Sequence, residues 1–203
     1  MKSKSTGVIL ILLISVSAAV ADQYSSFRTT RFYSPKRHYF IEVRENKRAT
    51  LYRNGRNVRR IWSRVLPDLP RNLFVADDGL GAAMVDFYYG NNCVANSPVV
   101  VLFGQGGKEL SRYLLKDLAD LTRTPATTSM CYWYGDAKLA SDGHLLTIQT
   151  IVAKHDRSKC GNIKSADEAD KMWEICMATM PYQNLTFDMV NGSLISRQNI
   201  AAR

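Results

Sequence analysis

Three carboxylates crowd one short stretch: Asp77 and Asp78 lie within VADDGLGAAMV (75–85) and Asp86 follows it directly. A second Asp-Gly pair, Asp142-Gly143, recurs in LASDGHLLTIQ (139–149) with His144 beside it. Acids spaced in this way suit glycoside hydrolysis, in which one carboxylic acid protonates the leaving oxygen while a second, ionised, acts as base or nucleophile. Asp-Asp-Gly also has a simpler reading as a turn, where Asp accepts from a nearby backbone N–H and Gly takes a positive φ. His144 then reads as a solvent-facing turn residue, and His38 and His155 have no Ser, Cys or carboxylate at a spacing that makes a catalytic pair. The chain holds no G-x-S-x-G, H-E-x-x-H, P-loop or G-x-G-x-x-G segment, and each of those names a particular nucleophile, metal or phosphate chemistry. The residues therefore point away from an enzyme, with a small extracytoplasmic hydrolase using the acids near the D-G turns as the alternative; they indicate neither a catalytic residue nor a cofactor.

The acids and histidines must be positioned by the chain around them, beginning with its leader. Met1-Lys2-Ser3-Lys4, the apolar run from Gly7 to about Val20, and Ala19-Val20-Ala21 before Asp22 read as a secretory signal over 1–21. The apolar run is shorter than the roughly 20 residues that span a bilayer, so the cleaved chain is expected to be secreted or periplasmic and not membrane-spanning. Residues 22–203 then form one domain. In an oxidising compartment the four cysteines favour disulfides. Four cysteines allow three pairings; Cys160 with Cys176, flanking one local segment, leaves Cys93 with Cys131. No C-x-x-C or H-x-x-x-H spacing supports a metal site.

Internal repetition organises the rest. Taking Lys36 (in SPKR before YFIEV), Asp78 and Asp142 as equivalent turn positions gives spacings of 42 and 64 residues. The first matches a propeller blade of about 40–45 residues, and the second matches such a unit carrying an insertion. LYRNGRNVRRIW (51–62), VLFGQGGKELSRYL (101–114) and TFDMVNGSLIS (186–196) each place a Gly-containing turn between β-rich runs. Asn54-Gly55, Gly106-Gly107 and Asn191-Gly192 are predicted to make tight turns with positive φ at both central residues. The units run over about 34–75, 76–138 and 139–203. Helix is confined to two turns over LKDLADL (115–121) and to Ser165 to about Thr179, with Ser165 as N-cap and Glu168 completing a capping box, inside an insertion over about 154–181. Ala169, Met172, Trp173, Cys176 and Met180 give that second helix one apolar face, read as packing contacts.

SPKRHYFIEV, ATLYRNG, VADDGLGAAMVDFYYGNN and VVVLFGQGGKELSRYLLKDL together resemble a group of uncharacterised exported bacterial proteins with propeller-like, WD-repeat-like β units. The resemblance covers roughly residues 34–150, with a looser echo in 184–196, and departs where Lys36-Arg37 replaces a D-G turn. It implies a fold and an exported location, and no activity. Three units are too few for a closed ring, which typically takes four to eight blades. The expected architecture is mainly β: consecutive antiparallel sheets of propeller-blade type, open, with one helical insertion, and with assembly into an oligomer as the alternative.

The net charge of +9 is unevenly spread. Residues 22–71 hold thirteen Lys or Arg against four acids, whereas residues 72–203 hold twelve against fourteen. Arg53, Arg56, Arg59, Arg60 and Arg64 gather around the first hairpin, with Arg44, Lys47 and Arg48 near the preceding turn and Phe27, Phe32, Tyr33, Tyr39 and Tyr52 interleaved. Such a surface concentrates anionic partners; equally, Lys and Arg keep an exposed sheet edge from pairing with other chains. Export disfavours nucleic acid, which leaves an unknown protein or an anionic glycan or lipid surface as the partner.

Overall fold

The computed structural model describes residues 26–87, 93–122, 131, 133–141, 143–151 and 182–200. The segment read as a signal, Asp142, His155, the expected insertion with its predicted helix, and the expected Cys160–Cys176 pair lie outside these residues.

The described chain is mainly β. Strands β1 (Thr30–Tyr33), β2 (Tyr39–Val43), β3 (Arg48–Arg53) and β4 (Arg59–Val65) form one antiparallel sheet in chain order. Strands β5 (Pro70–Val75), β6 (Ala82–Phe87), β7 (Pro98–Phe103) and β8 (Glu109–Leu114) form the second. The third holds β9 (Tyr134–Leu139), β10 (Leu145–Ile151), β11 (Tyr182–Asp188) and β12 (Ser193–Ile200). These are three consecutive four-stranded meanders of propeller-blade type, open and not closed into a ring. Among the described residues the one α-helix is α1 (Leu115–Leu118). It makes a single turn where the sequence predicts two, because Asp120 Oδ1 accepts from both the N–H and hydroxyl of Thr122, a local turn that competes with helix.

The repeat found in the sequence is reproduced bond for bond. Ser34 N–H donates to the Tyr39 carbonyl and Arg37 N–H to that of Ser34; Ala76 donates to Gly81 and Gly79 to Ala76; Ala140 donates to Leu145 and Gly143 to Ala140. The left-handed position of each turn falls to Arg37 (φ 58°), Gly79 (φ 71°) and Gly143 (φ 76°). The first copy therefore keeps its turn although arginine occupies the position that glycine fills elsewhere.

The hairpins follow the prediction unevenly. Gly106 and Gly107 both take positive φ, 69° and 77°, as the tight turn requires. Between β3 and β4 lie five residues, 54–58, and Gly55 does not adopt positive φ. Asn54 donates its N–H to the His38 carbonyl and its Nδ2 to the Arg37 carbonyl, so it is tied sideways to the first turn and the reversal passes to the residues after it. At 189–192 only Gly192 takes positive φ, 78°. There Asp188 Oδ1 accepts from the N–H groups of Val190 and Asn191, which makes a wider, carboxylate-capped loop.

Two apolar cores hold the sheets together. Ile41, Val43, Leu51 and Trp62 of the first sheet meet Leu73, Val75, Met84 and Phe103 of the second. Ala83, Val85, Val100 and Leu102 on the other side of the second sheet meet Leu146, Ile148, Leu185 and Phe187 of the third. Successive residues of a strand face opposite sides, so β6 sends Ala82 and Met84 one way and Ala83 and Val85 the other. This is why AAMV (82–85) and VVVLF (99–103) read as unbroken apolar runs, the pattern of a sheet covered on both faces. Each large aliphatic side chain buried here contributes about 1.5–3 kcal/mol. Cys93 and Cys131 form a disulfide with a Cα–Cα distance of 4.9 Å, the partnership left by pairing Cys160 with Cys176.

Candidate binding face on the first sheet

The turn acids hold neighbouring sheets to one another. Asp77 Oδ1 accepts from the Lys36 N–H at 2.8 Å, linking the second repeat turn to the first. Asp78 Oδ1 accepts from the Leu80 N–H at 2.8 Å, while its Oδ2 lies 3.6 Å from His144 Nε2 and ties the second turn to the third. His144, which reads from sequence as solvent-facing, thus has a carboxylate neighbour. His38 lines a recess of about 240 Å³ with Tyr39, Arg53, Asn54 and Asp77.

Asp86 is set apart from the other two acids. It is buried and at positive φ, 60°, with its carboxylate 3.8 Å from Arg71 Nη1. Nearby, the Tyr134 hydroxyl accepts from Asn72 Nδ2 at 2.8 Å. Burial pushes the Tyr134 phenol up to about 12, and the negative charge of Asp86 adds to the shift; Arg71 and the Asn72 hydrogen bond oppose it.

The five arginines picked out around the first hairpin divide. Arg53, Arg56, Arg59 and Arg60 are all exposed, and Arg53 stands directly opposite Arg59 across the β3–β4 pair. Arg64 turns into the joint between sheets. Its Nη1 donates to the Gly107 carbonyl, its Nη2 lies 3.8 Å from Glu109, and its guanidinium sits 4.6 Å from the centre of the Phe103 ring. Among the described residues the four exposed arginines make no ion pair with an acid.

The interleaved aromatics divide by face as well. Phe27 is buried in the first core, and Phe32 and Tyr39 pack against it. Tyr33, Phe40, Tyr52 and Arg60 align across β1–β4 on the opposite, outward face. The Phe40 and Tyr52 rings stack at 5.0 Å and an angle of 21°, and Tyr33 lies 5.4 Å from Phe40. The Arg31 guanidinium sits 5.1 Å over Phe40 and that of Arg37 4.4 Å over Tyr33. Glu42 binds both Arg31, at 3.0 Å, and Arg44, at 3.3 Å. Its hydrogen bond holds the Arg31 guanidinium above its ordinary range. Phe40, Arg31 and Arg37 escaped the sequence reading because their alignment depends on strand register; alternation within YFIEV was the signal that could have placed Phe40 opposite the core.

Strand order, meander topology and the repeated turn define a mainly β protein of propeller-blade type. No family model and no curated protein matches the chain. Among solved structures it is similar to a eukaryotic initiation factor at 8% identity and a TM-score of 0.44, covering 85% of this chain and 32% of that one. It is also similar to a Bacteroides uniformis protein proposed to be a 6-phosphogluconolactonase, at 14% identity and a TM-score of 0.40, with 85% and 41% covered. A third likeness is to the C-terminal WD40 domain of Sif2, at 11% identity and a TM-score of 0.35, with 85% and 38% covered. The chain thus spans between about a third and two-fifths of the length of these structures. Among the described residues no helix is long and apolar enough to cross a membrane.

Proposed function

We propose that the protein is an exported, non-catalytic binding module that offers the basic hairpin end of its first sheet to an anionic partner, a protein or an anionic glycan or lipid surface. The pairing of Arg53 opposite Arg59 carries the reading. Like charges directly opposite on a sheet are destabilising, and Arg56 and Arg60 add to the same field, so an anion bound there relieves a repulsion built into the fold. The turn acids support binding over hydrolysis, since Asp77 accepts a backbone hydrogen bond from the first repeat turn, Asp78 accepts one within its own turn while facing His144, and Asp86 faces Arg71. The Cys93–Cys131 disulfide agrees with an oxidising compartment.

The test replaces Arg56, Arg59 and Arg60 together by Gln. Salt shortens the screening length from about 10 Å at 0.1 M to about 3 Å at 1 M, so the parent is expected to leave an anionic matrix at a distinctly higher salt concentration than the triple variant. Equal elution would reduce the arginines to a solvated edge and overturn the reading.

A further inference from the structure

We infer that the outward face of the first sheet is a binding trough for an acidic glycan, one carrying a carboxylate or sulfate on hydroxyl-bearing sugar rings. The inference rests on the reading of the first sheet as an anion-binding surface, but its charges are Arg31 and Arg44 in the trough and not the hairpin arginines, which do not line it.

An open trough of about 460 Å³ runs over this face, with Arg31, Tyr33, Phe40, Glu42, Tyr52 and Asn54 in its lining. That volume is within the roughly 300–1,000 Å³ of ligand clefts. Its floor is the row Tyr33–Phe40–Tyr52; Phe40 is buried beneath Arg31 and Tyr33 carries Arg37 over its ring, so a flat apolar ligand face meets the half-buried Tyr52 ring and the part of Tyr33, 38% exposed, that Arg37 leaves open. Arg31 and Arg44 supply the positive wall. Between them stands Glu42, whose two oxygens accept from these arginines and cancel one of the two charges. A carboxylate inside the trough repels a ligand that is anionic at every point. Asn54 donates its Nδ2 to the Arg37 carbonyl, which leaves its Oδ1 as an acceptor for a hydroxyl.

The lining therefore asks for three things in one ligand: an apolar face over the rings, an anionic group on a guanidinium, and hydroxyl donors for the acceptors. An acidic sugar carries all three. Polyphosphate lacks the first and third, and an anionic bilayer presents a plane, whereas this surface is concave.

The test uses the whole mature chain and three probes: a hyaluronan-derived hexasaccharide, with one carboxylate per two rings, inorganic polyphosphate of matched charge, and phosphatidylglycerol vesicles. Calorimetry on Tyr33→Leu/Tyr52→Leu is expected to weaken hexasaccharide binding roughly tenfold, from the loss of two ring contacts, and to leave polyphosphate binding within about twofold. Tyr33→Phe/Tyr52→Phe, which keeps the rings, retains the hexasaccharide. On the unaltered protein, the hexasaccharide protects Tyr33 and Tyr52 from nitration and polyphosphate does not, a readout that needs no variant to fold. Equal loss of both ligands in the Leu variant, absence of protection, or capture by vesicles without hexasaccharide binding overturns the glycan assignment and leaves the basic-face reading standing. Failure of all three probes to bind the parent overturns the glycan assignment and also removes glycan and lipid surfaces from that reading, leaving a protein partner.

Discussion

Gly143 stands where the third repeat turn meets the second, and replacing it by alanine measures how closely they meet. A Cβ built there lies 2.8 Å from the backbone nitrogen of Asp77 and 3.4 Å from the Cα of Ala76. Both are main-chain atoms, so no side-chain rotation relieves the contact. The residue also sits at φ 76°. Left-handed backbone costs a non-glycine residue about 1–2 kcal/mol, and forcing a methyl group against packed atoms adds about 1–3 kcal/mol. Gly106 supplies the control: its φ is 69° and a Cβ there meets nothing within 4 Å. Gly106→Ala isolates the backbone cost, about 1 kcal/mol, whereas Gly143→Ala is expected to cost about 3 kcal/mol. In urea unfolding the two midpoints separate by about 2 kcal/mol of stability, and in a thermal scan by roughly 4–8 °C. Midpoints that coincide would refute the reasoning, because the turn-to-turn approach would then contribute nothing beyond φ.

Three further outcomes follow from the same geometry. Tyr134 holds its proton in the folded state up to about pH 12, while an unfolded tyrosine loses it near 10. The stability this confers is present below pH 10 and is lost as pH rises from 10 to 12, so Tyr134→Phe removes that slope, and absorbance near 295 nm shows the late-titrating phenol disappear. Cys93→Ser/Cys131→Ser opens a loop with a sequence separation of 38; the entropy model gives a loss of about 4 kcal/mol, read as a lower urea midpoint and matched by adding reductant to the parent. Gly192→Val places a branched side chain at φ 78°, with its Cβ 2.6 Å from Leu110 and 2.7 Å from Ser111. It is expected to lower the melting point, with the protection of β11 and β12 amides from exchange falling before that of β6 and β7.

What could be read in advance depended on whether the information was local. Pro, Asp and Gly types at 34–37, 76–79 and 140–143 carried the repeat, because a turn is decided by a few adjacent residues. Gly106-Gly107 was legible for the same reason. Asn54-Gly55 was not, since its loop is shaped by hydrogen bonds to Arg37 and His38, seventeen and sixteen positions away. Arg64 looked like a surface charge because its burial against Gly107 and Phe103 requires a neighbouring sheet. The Tyr33–Phe40–Tyr52–Arg60 row needed three strand pairings at once, and a register shift between Leu51 and Tyr52 defeats simple counting along β3 and β4. The abundance of arginine was plain in composition; which arginines share a face was not.

The middle sheet has consequences for how the chain acquires its structure. Its apolar residues are divided between two neighbours, so it has no side that tolerates water by itself. A chain emerging N-terminus first completes β1–β4 while Ile41, Val43, Leu51 and Trp62 still lack a cover. It then makes β5–β8, which closes the first core and opens the need for the second. Each sheet in turn exposes the surface that the next one satisfies. A chain halted after residue 114 would leave Val85, Val100 and Leu102, which the third sheet covers, facing solvent, the kind of exposed apolar surface that makes partly folded chains aggregate.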